Sequence, residues 1–218
     1  MGMLRSLLFL LTLILLPGLL RAQPGADEQL AAQYFQQGDF PKAIMYYEKL
    51  YNKQPTAFYY EQLYKSYVAI KDFEKATKLV KDQMRRANGD PGPIIDMGKL
   101  YLLQNDEDKA NKEFDKAIKQ MRADQSSVRQ VANAFINADQ VDRALEAYER
   151  GGKTMPEGQS FSYEIAGLYG AKGDVPRMIS AYMDLLAVNE GYIRAVQNAL
   201  TRSLDFSIAD ARSEVLRT

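Results

Sequence analysis

Histidine and cysteine are both absent from this 218-residue chain. That removes most of the side chains that do chemistry near neutral pH. Without imidazole there is no ordinary general base and no usual haem or copper ligand. Without thiolate there is no sulfur nucleophile, and the common zinc sets cannot be assembled. Asp, Glu, Lys, Tyr and Ser remain. A carboxylate-based enzyme is the catalytic class left open, but no pair of acids stands apart from those that solvated helix faces carry. No cofactor and no metal is expected. Aromatic residues are the other candidates: eight of the 14 tyrosines, Tyr34, Tyr46, Tyr47, Tyr51, Tyr59, Tyr60, Tyr64 and Tyr67, fall in the first third of the chain. They read either as a ligand platform or as packing side chains.

The elements that would position such groups begin after a leader. Arg5 precedes an apolar run from Leu7 to Leu16, then Pro17-Gly18 and a small residue, Ala22. Charge, apolar core, helix breaker and small residue in that order read as a secretory signal peptide cleaved after Ala22. An uncleaved anchor is the alternative and the only expected membrane link, but the run is shorter than the ~20 residues a spanning helix needs. Residues 23–26 are expected to be a short mobile lead-in. Removing Arg5 and Arg21 leaves 26 of the 28 basic side chains against 28 acidic ones, a formal charge of −2. Such a balance exerts no long-range pull on nucleic acid or anionic lipid. The protein is expected to be exported, to the periplasm, where it relies on packing rather than disulfides.

Leu30 to Pro55 reads as two helices joined at Gly38-Asp39. Leu30, Ala31 and Tyr34 share one face, and Ala43, Tyr47 and Leu50 share another, at helical three-to-four spacing. Pro55 stops the second helix. Ala31 and Ala43 permit a close crossing, and the hairpin has more apolar surface than it can bury alone. The pattern recurs at steps of 33 to 34 residues: Leu63, Tyr64, Tyr67, Ala76, Val80; Met97, Gly98, Tyr101, Ala110, Phe114, Ala117; Val131, Ala132, Phe135, Ala144, Tyr148, Pro156; Ile165, Ala166, Tyr169, Met178, Tyr182, Leu185. Helices are expected near 27–37, 40–53, 57–70, 73–86, 93–104, 107–120, 126–137, 141–151, 160–172 and 175–187. Asp106 and Asp139 stand near turns where a carboxylate caps free amides. Gly89 suits a helix stop and Pro93 a helix start.

These small and large residues at this period resemble the tetratricopeptide repeat. The resemblance covers nearly all of the chain after the leader. It implies an all-α, right-handed superhelical α-solenoid of about five helical hairpins plus a C-terminal partial repeat. The repeats lie near 24–56, 57–90, 91–124, 125–158 and 159–192, with the partial one at 193–218. Tyrosine is usual at this family's packing positions, which favours packing for the eight tyrosines. The fifth repeat departs from the pattern. Gly167 and Gly170 lie inside its first helix and Met178 replaces the small residue at the crossing, which implies a soft joint, a shallow place for a partner backbone, or simple drift. Tyr192 to Leu204 supplies a further first helix, and Ile208 to Thr218 the start of its partner with Arg212 at the crossing.

In this family first helices line a concave groove. Carried over by position, the candidates are Phe35 and Gln36; Phe58, Glu61, Lys65 and Ala69; Ile95, Lys99, Leu102 and Leu103; Arg129, Asn133, Ile136 and Asn137; Tyr163 and Gly167; Gln197 and Thr201. Phe35, Val68, Leu102 and Ile136 form an apolar row that either reads a peptide or packs the repeats. Arg129 with Asn133 has the spacing of the family's carboxylate clamp, but Glu164 stands where that clamp needs asparagine, so no clamp is expected. The resemblance therefore implies a non-catalytic scaffold that binds a protein or peptide segment in its groove. A self-associating module of an envelope assembly is the alternative, and a carboxylate-based envelope enzyme a more remote one. Fold does not by itself specify function.

Overall fold

The computed structural model describes residues 25–87, 89–156 and 160–203. The leader, most of the lead-in and the proposed start of a last second helix lie outside these residues. Gly25 and Ala26, expected in the lead-in, instead belong to the first helix as its cap and first residue.

Among the described residues the chain is helical throughout, in successive hairpins: α1 (Ala26–Gln36) with α2 (Phe40–Lys53), α3 (Ala57–Ala69) with α4 (Phe73–Arg86), α5 (Gly92–Leu103) with α6 (Glu107–Lys119), α7 (Gln125–Asn137) with α8 (Val141–Gly152), and α9 (Ser162–Ala171) with α10 (Val175–Val188). A 3₁₀ turn, Glu190–Tyr192, leads into α11 (Ile193–Ser203). No helix among the described residues is long and apolar enough to cross a membrane.

Local sequence explains the boundaries. Asp39, Asp106 and Asp174 cap α2, α6 and α10 by accepting the amide hydrogen three residues on, as Thr56 does for α3 and Asp124 for α7. Each satisfies one amide that a helix start leaves free. Asp139 does not cap. It takes a left-handed backbone (φ 58°), and Gln140 stands at the start of α8 without a side-chain bond. Gly89, at φ 94°, ends α4's turn where a residue with a Cβ would be strained.

By internal contacts the chain falls into two compact units, one up to Leu79 and one from Val80. In the first, Ala31 of α1 and Ala43 of α2 are fully buried, and Tyr47 is buried against the rings of Phe35, Phe58 and Tyr59. Six of the eight early tyrosines, Tyr47, Tyr51, Tyr59, Tyr60, Tyr64 and Tyr67, are buried. In the second unit one core gathers Ile94, Phe114, Val128, Phe135, Tyr148 and Phe161, and another gathers Ala166, Met178, Tyr182 and Val196. Gly98 lets α5 lie against Phe114: a Cβ there would come within 2.3 Å of the ring. Gly151 does the same for Val128, at 2.5 Å. Met178, at the fifth crossing, is 1% exposed beside Ala166, so the larger side chain is absorbed into the core of α9 and α10.

Candidate functional site

In the first unit the candidate face belongs to α1 and α3. Phe58 is 55% exposed, with its edge on Tyr47 (6.3 Å between centroids) and Tyr59 (5.7 Å). Phe35 is half-buried and meets Phe40 and Tyr47 edge to face. Phe35 therefore serves packing, while Phe58 offers an open aromatic surface. Gln36 is exposed, and Glu61 and Lys65 pair at 2.6 Å across one helical turn in open solvent. Surface pairs of this kind contribute little to stability. The Tyr59 hydroxyl donates to Glu28; that bond, then burial, pushes the phenol up to about 12. Tyr67 donates to Glu48, and its burial in particular raises it further.

In the first two hairpins of the second unit the first and second helices differ sharply in charge, whereas α10, the second helix of the third, carries two charged residues, Arg177 and Asp184. Among the unit's first helices α5 carries two charged residues, Asp96 and Lys99; α7 carries one, Arg129; and α9 one, Glu164. The second helices α6 and α8 carry eight and five. Those few charges partly cancel: Arg129 Nε donates to Glu164 at 2.9 Å, its Nη1 to Gln125 at 3.2 Å, and its guanidinium lies 5.6 Å from the centre of the Phe161 ring. Arg129 is thus already engaged across α7 and α9, and Asn133, beside it, is exposed.

The remaining candidates divide by burial. Leu103 is 47% and Tyr163 39% exposed, the latter edge-on to Tyr182 at 6.0 Å. Asn137, Gly167 and Gln197 are exposed, and Lys99 is half-buried. Leu102 and Ile136 are half-buried against the core, so they serve packing and surface together. The Thr201 hydroxyl bonds back to the Gln197 carbonyl. Ile95 is a correction. At 1% exposure it lies within the core of Phe114, Val131 and Phe135, because α5 packs against α7 there and an aliphatic side chain is drawn into that contact.

Two features escaped the sequence reading. Arg143 of α8 binds Asp115 (2.9 Å) and Asn111 (2.6 Å) of α6 and Glu146 (2.6 Å) of its own helix, with its guanidinium 5.7 Å from the Phe114 ring centre. An arginine on a charged helix gives no sign of which neighbour it reaches. Four turns also share one lock. Asp39, Asp72, Asp106 and Asp174 accept the amide of Lys42, Lys75, Lys109 and Arg177, whose cations lie 5.1 to 5.7 Å from the centres of the Tyr34, Tyr67, Tyr101 and Tyr169 rings. The recurring Asp and basic residue three apart could have disclosed it.

Among the described residues no cluster of acids could hold a metal ion. The exposed groups offer apolar contact, amide hydrogen bonds and single charges, which suit recognition of another chain.

No family model and no curated protein matches the sequence. Solved structures resemble it at low identity. A thermophilic TPR protein of Thermus thermophilus, TTC0263, is 12% identical with a TM-score of 0.38, covering 81% of this chain and 96% of that one. The MamA protein is 19% identical, TM-score 0.38, covering 77% and 92%. The TPR2AB domain of yeast Sti1, solved in complex with pHSP90, is 13% identical, TM-score 0.39, covering 81% and 83%. The chain is an array of successive helical hairpins, and its repeat length and buried small residues resemble those of the tetratricopeptide repeat.

Proposed function

We propose that the protein is an exported, periplasmic, non-catalytic scaffold that holds a peptide or protein segment against the first helices of its second unit. The observation that supports this most is the division of charge in two of its hairpins: α5 and α7 carry two and one charged residues, against eight and five on α6 and α8. Leu103 and Tyr163 stand open on the sparse side, and Asn133 and Asn137 supply amides that can pair with a partner's backbone. Export rests on the order of residues in the leader, and the absence of histidine and cysteine side chains supports a binding role.

Capture tests it. The tagged protein is used to recover its partner from the cells that make it, alongside a Lys99→Glu, Leu103→Ser, Tyr163→Ser variant and a control with Lys112→Glu and Lys119→Glu on α6. The reading expects the first variant to lose the partner while keeping wild-type helicity, and the control to keep it. Loss by the control alone rejects this face.

The alternative, self-association, is favoured by exposed Met183, Val188, Tyr192 and Ile193 on α10, the 3₁₀ turn and α11. A mass that rises with concentration in light scattering would support it, and a strict monomer removes it.

A further inference from the structure

We infer that the turn between α7 and α8 is a built-in point of local opening, which frees the end of α7 that carries Ile136 and Asn137. The third and fourth turns form a matched pair. Both place a residue tolerant of the left-handed region at the same point, Asn105 at φ 60° and Asp139 at φ 58°. Both keep the same backbone closure, with the Asp106 amide donating to the Tyr101 carbonyl at 2.9 Å and the Gln140 amide to the Phe135 carbonyl at 2.9 Å.

They differ in what surrounds that closure. At turn three Asp106 accepts the Lys109 amide at 3.1 Å, pairs with the Lys109 ammonium, and holds that cation over Tyr101. At turn four Gln140 stands where Asp106 does and makes no capping bond. Phe135 replaces the tyrosine. Arg143, the residue matching Lys109, reaches away from its own hairpin to Asn111 and Asp115 of α6. The basic residue that closes the other turns here braces one hairpin on the previous one. The start of α8 is thus tied to α6, while beyond the core packing of Phe135, Ala138 and Ala144 its hydrogen bonds to the end of α7 are backbone bonds. Segments held by few side-chain bonds open first. Ile136 and Asn137 immediately precede this turn, so an opening moves part of the face assigned above to a partner. The inference concerns the turn and stands whether or not that face binds one.

Amide exchange of the whole chain, followed residue by residue and corrected for intrinsic rates, tests it. Asp139, Gln140 and Arg143 are expected to exchange about fivefold or more faster than Asn105, Asp106 and Lys109. Gln140→Asp, which supplies the missing cap, is expected to slow turn four by about that factor, and Asp106→Gln to speed turn three toward turn four. Equal protection at the two turns overturns the inference. So does a Gln140→Asp variant whose turn-four amides exchange at the wild-type rate.

Discussion

Replacing Gly98 by alanine adds one methyl group and is expected to lower stability, although alanine is the better helix former. An ideal Cβ at position 98 lies 2.3, 2.6 and 2.9 Å from three carbons of the Phe114 ring. Carbon atoms sit comfortably at about 3.5–4.0 Å, so the ring or the helix must move by more than about 1 Å. Phe114 has little room to give. It is 2% exposed, meets Phe135 edge to face at 5.6 Å, and lies beneath the Arg143 guanidinium. Overpacking of a filled core costs about 1–3 kcal/mol, and a site this confined belongs at the upper end. The glycine-to-alanine change returns about 1 kcal/mol of helix propensity. The net expectation is a loss of about 1–2 kcal/mol in the second unit. Gly167→Ala supplies the control: no atom lies within 4 Å of its Cβ position. Propensity then acts alone, and a gain of about 0.5–1 kcal/mol is expected. Urea denaturation followed by circular dichroism compares the two variants with wild type. Gly98→Ala at or above wild-type stability would refute the close approach of α5 to Phe114. Destabilisation by Gly167→Ala would refute the open site.

Three further outcomes follow from the same structure. Gly151→Ala is expected to lower the urea midpoint, since its Cβ would meet both Val128 methyl carbons at 2.5 Å; an unchanged midpoint contradicts that contact. Met178→Ala is expected to cost about 2–5 kcal/mol, because it empties a fully buried place between α9 and α10, and a loss below ~1 kcal/mol contradicts the packing. Stability should be level from about pH 5 to about pH 9, because no histidine titrates in that window. Below it, Asp106 and Asp124 matter. The Lys109 ammonium and the Ser127 amide respectively hold these carboxyls below their ordinary value, so their contribution is present above about 3.9 and fades as pH falls through the folded value. Above it, Tyr59 and Tyr67 are raised, so theirs is present below about 10 and fades as pH climbs toward 12. Thermal melts across pH check both limbs, and Tyr67→Phe should flatten the alkaline one.

Helix positions were largely legible in the sequence because periodicity and punctuation agree. The small residues Ala31, Ala43, Gly98, Ala110, Ala132 and Ala144 mark crossings, and Asp39 and Asp106 mark starts. Helices α2 and α4 run over Phe40–Lys53 and Phe73–Arg86, the spans expected for them, and the others differ at their ends by no more than two residues. The candidate face was legible in part. Repeat position places Leu103, Asn133 and Tyr163 at the surface, but it says nothing of what a neighbouring helix draws inward. Ile95 was misplaced for that reason, since an aliphatic residue serves a groove or a core equally well until the packing of α5 on α7 is known. Asp139 illustrates a different limit. Its type suits both a cap and a left-handed turn, and the one-residue offset to Gln140 decides between them. Side-chain reach, as in Arg143, depends on distances between helices that no local pattern encodes.

The central claim is that the first-helix face of the second unit holds another chain. Light-activated crosslinkers placed at Leu103 and at Tyr163, with Lys112 on α6 as control, test it directly in the cells that make the protein. The account predicts one and the same protein joined at Leu103 and Tyr163 and absent at Lys112. Crosslinks from Lys112 with none from Leu103 or Tyr163 would contradict it.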